Sequence, residues 1–216
     1  MKELIYFMGR SVCHQFPERS FFIQGTKMPL CARCTGIYLG MFLGFLYLYF
    51  RRRNKGNTPP SFQFLIGMIL CWIPMILDGV TSYMGFRETT NITRLLTGFL
   101  FGVFIPVFIV LLKNFDLEGE NNIPIIKGYK DLLFMVLLFF FSIIIITMDY
   151  DIVWWIVSGI TVLTISYVYM QISYIIIRQI LESISKKRAY YIALATMASV
   201  IIILSVMNEL LLAKYR

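Results

Sequence analysis

The residues able to do chemistry crowd into one stretch near the start of the chain. Cys13, His14, Cys31 and Cys34 are three of the four cysteines and the only histidine. Three thiolates and an imidazole make a complete tetrahedral donor set for zinc, and the C-x-x-C spacing of Cys31 and Cys34 suits such a site. Cys13 and His14 are neighbours, which rarely both reach one ion, so one ligates while the other supports. Two other readings use the same atoms. A C-x-x-C pair at a helix start is a redox signature, because the helix N-terminus lowers the thiol pKa. On an oxidising face, Cys13 could instead pair with Cys31 or Cys34 as a structural disulfide. Residue types alone leave all three open. His14 also has a plain structural role available, as a hydrogen-bonded ring, but any imidazole chemistry in this chain must use it. Cys71 lies in the apolar run GMILCWIPMIL and reads as a small buried hydrophobe.

A second set of polar residues belongs with the first. Arg19 and Arg33 flank the cysteines. Asp78, Arg87, Glu88, Asn91 and Arg94 follow one apolar run later. An ionisable group at membrane depth is costly and usually finds a partner, so Asp78 is expected to meet Arg33 or Arg94. Asn91, Arg94 and Gly98 share one helical face by their spacing. The plain reading is an ion pair that locks helices together. The sharper one is an anion pocket of Arg19, Arg33, Asp78, Asn91 and Arg94, with Arg87 and Glu88 nearby. Arginine suits phosphate or carboxylate because its planar fork donates two parallel hydrogen bonds.

The elements that must position these residues are membrane spans. The chain has 216 residues, 58% hydrophobic and only 15% charged, with a mean hydropathy of +0.74. A soluble domain of this size could not hide so much apolar surface. The composition predicts one all-α membrane domain over 1–216, a polytopic transmembrane helical bundle of about six spans. They fall near 32–50, 62–80, 94–112, 131–148, 152–177 and 189–212. Residues 1–31 precede them as an interfacial Cys/His segment, too short to span. No cleavable signal peptide is expected, since Leu4 to Gly9 is too short for its apolar core. Pro74 predicts a kink. Gly36, Gly40 and Gly44 on the first span, and Gly98 and Gly102 on the third, recur every four residues, so these helices are expected to pack closely. Arg33 and Arg94 each lie about one turn before such a stripe and would then meet at one surface.

Net charge is +8. The basic residues flank apolar runs, which fits helix orientation rather than nucleic-acid binding. Loops after spans one, three and five carry eleven Lys and Arg, against four on the other side apart from the N-terminal segment. The positive-inside rule then puts RRRNK and SKKR in the cytoplasm, and the Cys/His segment outside, in a multi-pass protein of the cell membrane.

The block CHQFPERSFF…MPLCARCTGIYLGMFLG resembles an uncharacterised family of small bacterial and archaeal membrane proteins, known only as a domain of unknown function. The matching positions are Cys13, His14, Gln15, Pro17, Arg19, Ser20 and Phe21, then Cys31, Arg33, Cys34 and Gly36, then Asp78, Arg94, Thr97 and Gly98. The resemblance covers roughly residues 9–105. It implies a membrane location and residues that act together, and no activity.

Three functions remain in view. The first is a zinc site at the membrane surface beside an arginine pocket for a small anion or a lipid phosphate. The second is a thiol–disulfide oxidoreductase using Cys31 and Cys34. The third is a small-solute or ion transporter with Asp78, Glu88 and Arg94 as gating charges. The lipid bilayer is the one partner the composition requires, and self-association into a homo-oligomer is left open. The chain carries no phosphate-binding loop, Gly-x-Ser-x-Gly or His-Glu-x-x-His motif.

Overall fold

The computed structural model describes residues 1–181 and 183–213, without the side chains at 132, 136, 139, 141, 142, 145, 147 and 213. Nearly all of the regular structure is helical. A short helix, α1 (Lys2–Arg10), is followed by a two-residue hairpin, β1 (Phe22–Ile23) and β2 (Thr26–Lys27). Then come α2 (Ala32–Phe50), α3 (Phe62–Tyr83), α4 (Asn91–Gly102), α5 (Ile105–Asn114), α6 (Tyr129–Thr147), α7 (Asp151–Ile180) and α8 (Lys186–Ala213). Among the described residues, five helical segments are long and apolar enough to cross a membrane: Ala32–Phe50, Phe62–Tyr83, Asn91–Asn114, Asp151–Ile180 and Lys186–Leu212. Helix α6 occupies the place expected for the fourth span, and part of its side chains lies outside the described residues.

The bundle is organised around α2 and α4. A Cβ built on Gly36 would fall onto the backbone of Leu95, and one on Gly40 would lie 2.7 Å from the Phe99 carbonyl. From the other side, Gly98 faces the backbone of Arg33, and Gly102 that of Ile37. These contacts advance together along both helices, so α2 and α4 run parallel and start at one end of the bundle. The glycine stripes therefore do what their spacing predicts: they bring two backbones into contact. The span expected over 94–112 is not one unbroken helix. It breaks at Val103–Phe104 because Pro106 has no N–H to give the Gly102 carbonyl one turn earlier. By contrast, α3 continues through Pro74.

Helix α3 is the outlying element. Only 11% of its most apolar window is buried, against 61% for α4–α5. Its apolar side chains, such as Ile69, Ile73 and Leu77, are exposed, as a lipid-facing helix requires. One polar residue of α3, Asp78, turns inward and is buried.

The N-terminal segment is tied to the ends of α7 and α8. Ser205 Oγ donates to the Phe7 carbonyl at 2.8 Å, and Asn208 Nδ2 to the Arg10 carbonyl at 2.7 Å. Arg10 pairs with Glu209 at 2.7 Å. The hairpin turns through Gln24 and Gly25, both at positive φ. The Gln24 backbone N–H is held by Asp149 Oδ1 at 2.7 Å. At the opposite end of the bundle, the loop over 115–128 packs back onto the loop after α2. Arg53 donates to the Pro124 carbonyl at 2.6 Å, and Ile125 is fully buried. Its mixed charge suits a solvated loop, yet Ile125 and Ile126 are buried and anchor it.

Candidate functional site

The chain leaves α1, crosses residues 11–21, turns through the hairpin and enters α2. That path folds Cys13 back onto the start of α2. Cys31 is the N-cap residue of α2, and Cys34 lies in its first turn. The Sγ atoms of Cys13, Cys31 and Cys34 all lie within 4.8 Å of one another. A tetrahedral zinc with Zn–S bonds of about 2.3 Å would hold its sulfurs roughly 3.8 Å apart. All four cysteines are free thiols.

Gln15 sets this geometry. It sits at φ 57°, a left-handed conformation uncommon outside glycine. Its backbone N–H thereby reaches Cys13 Sγ at 3.4 Å. Its side-chain Nε2 donates to the carbonyls of Tyr6 at 2.7 Å and Pro29 at 2.8 Å, clamping the Cys13 loop to the approach to α2. The backbone N–H of Cys31 gives Cys13 Sγ a second donor at 3.1 Å. N–H donors aimed at sulfur favour its charged form.

The thiols do not titrate alike. Hydrogen bonds from the Cys13 and Cys34 thiols, and then from the Cys34 and Arg33 backbone N–H groups at the helix start, bring Cys31 down to about 2. Cys13 is pushed up to about 12 by its hydrogen bond to Cys31 and by burial. One sulfur thus carries the first negative charge, and a second charge beside it is costly. A cation among the three removes that like-charge cost.

The arginines converge on the same place. Arg33 pairs with Asp78, which is only 3% exposed. The pair is joined through one oxygen; among the described residues, Asp78 Oδ1 and Arg33 Nε have no hydrogen-bond partner. Arg94 Nη1 donates to Asn91 Oδ1 at 3.0 Å, and Asn91 Nδ2 donates to the Ser20 carbonyl at 3.1 Å. The guanidinium of Arg19 lies 4.7 Å from the Tyr83 ring centre, and that of Arg33 5.9 Å from it. The ring face of Tyr83 thus offsets part of the repulsion between two cations.

A small cavity of about 70 Å³ joins the two sets. It is lined by Cys13, Cys31 and Cys34, by Arg19, Arg33 and Arg94, and by His14, Gln15, Phe16 and Tyr83. Of the residues singled out by sequence, His14 lines this cavity but is not one of the clustered metal-ligating groups. Its ring stacks on Phe16, centroids 5.7 Å apart. Asp78 and Asn91 sit behind Arg33 and Arg94 as their partners and are not lining residues. Arg87 and Glu88 are exposed in the loop between α3 and α4 and do not line the cavity. Gln15 and Tyr83 carry no charge or thiol to mark them; Gln15 stood inside the recognised block, and Tyr83 closes the last turn of the helix that carries Asp78.

Residues 13–108, which include every residue of this site, match the family described as "Predicted membrane protein (DUF2085)". An uncharacterized protein of Methanocaldococcus jannaschii is 40% identical over 114 residues, 52% of this chain and 70% of the relative. An uncharacterized protein of Methanothermobacter thermautotrophicus is 39% identical over 112 residues, 50% of this chain and 94% of the relative. No solved structure matches the chain.

Proposed function

The chain belongs to the DUF2085 family of predicted membrane proteins, and on that premise we propose that it is a multi-pass membrane protein holding zinc on Cys13, Cys31 and Cys34. The zinc's fourth position opens onto an arginine-lined pocket for a small anion or the phosphate of a lipid head group. One observation carries the reading: three sulfurs and three guanidinium groups line one cavity. Zinc with three protein ligands and one open position is the arrangement of a reactive rather than a purely structural site. Zinc with three thiolates carries a single net negative charge. Arg33 is neutralised by Asp78, so Arg19 and Arg94 leave the pocket with a positive balance that an anion completes. The distribution of Lys and Arg supports an orientation with this end of the bundle outside the cytoplasm. His14 stands at the pocket wall as a proton carrier or a supporting donor rather than as a ligand.

Elemental analysis of the purified chain tests the reading. It predicts close to one zinc per chain, lost in Cys13→Ser, Cys31→Ser and Cys34→Ser and kept in Cys71→Ser. Zinc-loaded protein is expected to bind inorganic phosphate, and Arg94→Ala to weaken that binding about tenfold, the worth of one charge-assisted hydrogen bond. Absence of metal from all preparations would sink the proposal. The lowered thiol of Cys31 at a helix N-cap favours a second reading, a redox-active C-x-x-C pair. That reading requires a Cys31–Cys34 disulfide that forms and breaks under a thiol–disulfide couple, in a chain without metal.

A further inference from the structure

The opposite end of the bundle carries a second site with different chemistry. A groove of about 510 Å³ runs between α2, α5 and α7, within the range of about 300–1,000 Å³ common for ligand sites. Its inner wall is apolar, formed by residues such as Phe42, Phe45, Ile109 and Leu163, and its outer end is Lys113 and Gln171. From Leu163 to Gln171 the groove covers roughly 12 Å along α7 at 1.5 Å per residue. That is close to one leaflet of a hydrocarbon core about 30 Å thick.

Lys113 is shared with two further cavities. One, of about 200 Å³, also holds Tyr174 and Lys186; the other, of about 440 Å³, holds Tyr174, Arg178 and Lys186. Lys113 Nζ donates to Gln171 Oε1 at 3.0 Å and lies over the Tyr174 ring. The apolar channel therefore opens onto a cluster of three cations, with no carboxylate among the described lining residues. Hydrocarbon at one end and positive charge at the other is the complement of one molecule class.

We propose that this groove is a binding site for an anionic phospholipid, one acyl chain lying along α2, α5 and α7 and the phosphate held by Lys113, Arg178 and Lys186. The site is independent of the thiol cluster, which lies at the other end of α2. Basic pockets between spans are suited to anionic head groups, each Lys or Arg near such a surface giving about fivefold in affinity.

Native mass spectrometry of the full chain in detergent, with added phosphatidylglycerol or phosphatidylcholine of equal chain length, tests this. The expected result is a one-lipid adduct preferring phosphatidylglycerol by about tenfold or more. Lys113→Gln with Lys186→Gln is expected to reduce that preference to about twofold or less. The control Arg52→Gln with Lys55→Gln removes the same charge from the neighbouring loop and leaves it unchanged. Circular dichroism verifies that both variants stay folded. Equal losses in both double variants would show general surface attraction and overturn the site. So would equal binding of the two lipids, or a two-chain species in place of the lipid adduct.

Discussion

At the scale of the residue, what matters is which atoms face which. Cys13, Cys31 and Cys34 are interchangeable in a sequence motif but not in the site. Cys31 holds the first charge because it sits at a helix start between two thiol donors, and Cys13 must be driven to ionise. Zinc therefore displaces protons, and its affinity is predicted to rise as pH increases from 6 to 8 and to fall on acidification. Titration with a chromophoric chelator checks this; affinity independent of pH would mean that the sulfurs are not the ligands. His14→Ala is expected to keep one zinc per chain, since its ring stacks on Phe16 outside the sulfur cluster. Asp78→Asn leaves the half-buried Arg33 without its counter-ion. Thermal unfolding in detergent should show a loss of about 3–5 kcal/mol, partly restored when Arg33→Met is added. The sequence singled out the thiols and arginines as candidates because charge and sulfur are visible in one letter, and the structure brings them to one cavity. Gln15 stood out only as a position of the family block; its role, a left-handed backbone and two amide bonds, has no sign in one letter.

At the scale of the element, the site exists because α2 and α4 start together. The glycines enforce this: backbone meets backbone where a Cβ would stand. Gly102→Ala is predicted to destabilise the fold by about 1–3 kcal/mol, the usual cost of overpacking. It should also lower zinc retention, because α4 carries Arg94 and braces the first turn of α2. Among the described residues, nothing lies within 4 Å of a Cβ built on Gly159 of α7, so Gly159→Ala should be neutral or stabilising by up to about 1 kcal/mol. Similar melting temperatures for the two variants would contradict the packing argument. Small-residue spacing was legible in advance because it repeats every turn. The break at Val103–Phe104 was not, since hydropathy runs smoothly across it and only Pro106 marks it. Nor was the choice of Arg33 over Arg94 as partner of Asp78, because both lie at the same depth.

At the scale of the whole molecule, the two ends of the bundle differ in chemistry. One end gathers thiols, arginines and the tied-down N-terminal segment. The other gathers the basic loops and the groove that ends at Lys113. Charge counting groups the basic loops at one end, while the pockets depend on how α5, α7 and α8 pack, which no local pattern encodes. With the basic end proposed to face the cytoplasm, Ser185→Cys, in the loop between α7 and α8, is predicted to resist a membrane-impermeant maleimide in intact cells and to react after lysis. Labelling in intact cells would invert the topology. At the other end, zinc K-edge X-ray absorption on the purified chain tests the metal site itself. Three sulfur neighbours at about 2.3 Å and one lighter atom at about 2.0–2.2 Å are expected. A shell of nitrogen and oxygen alone, or a chain without zinc whose intact mass shows a disulfide among these cysteines, would contradict it.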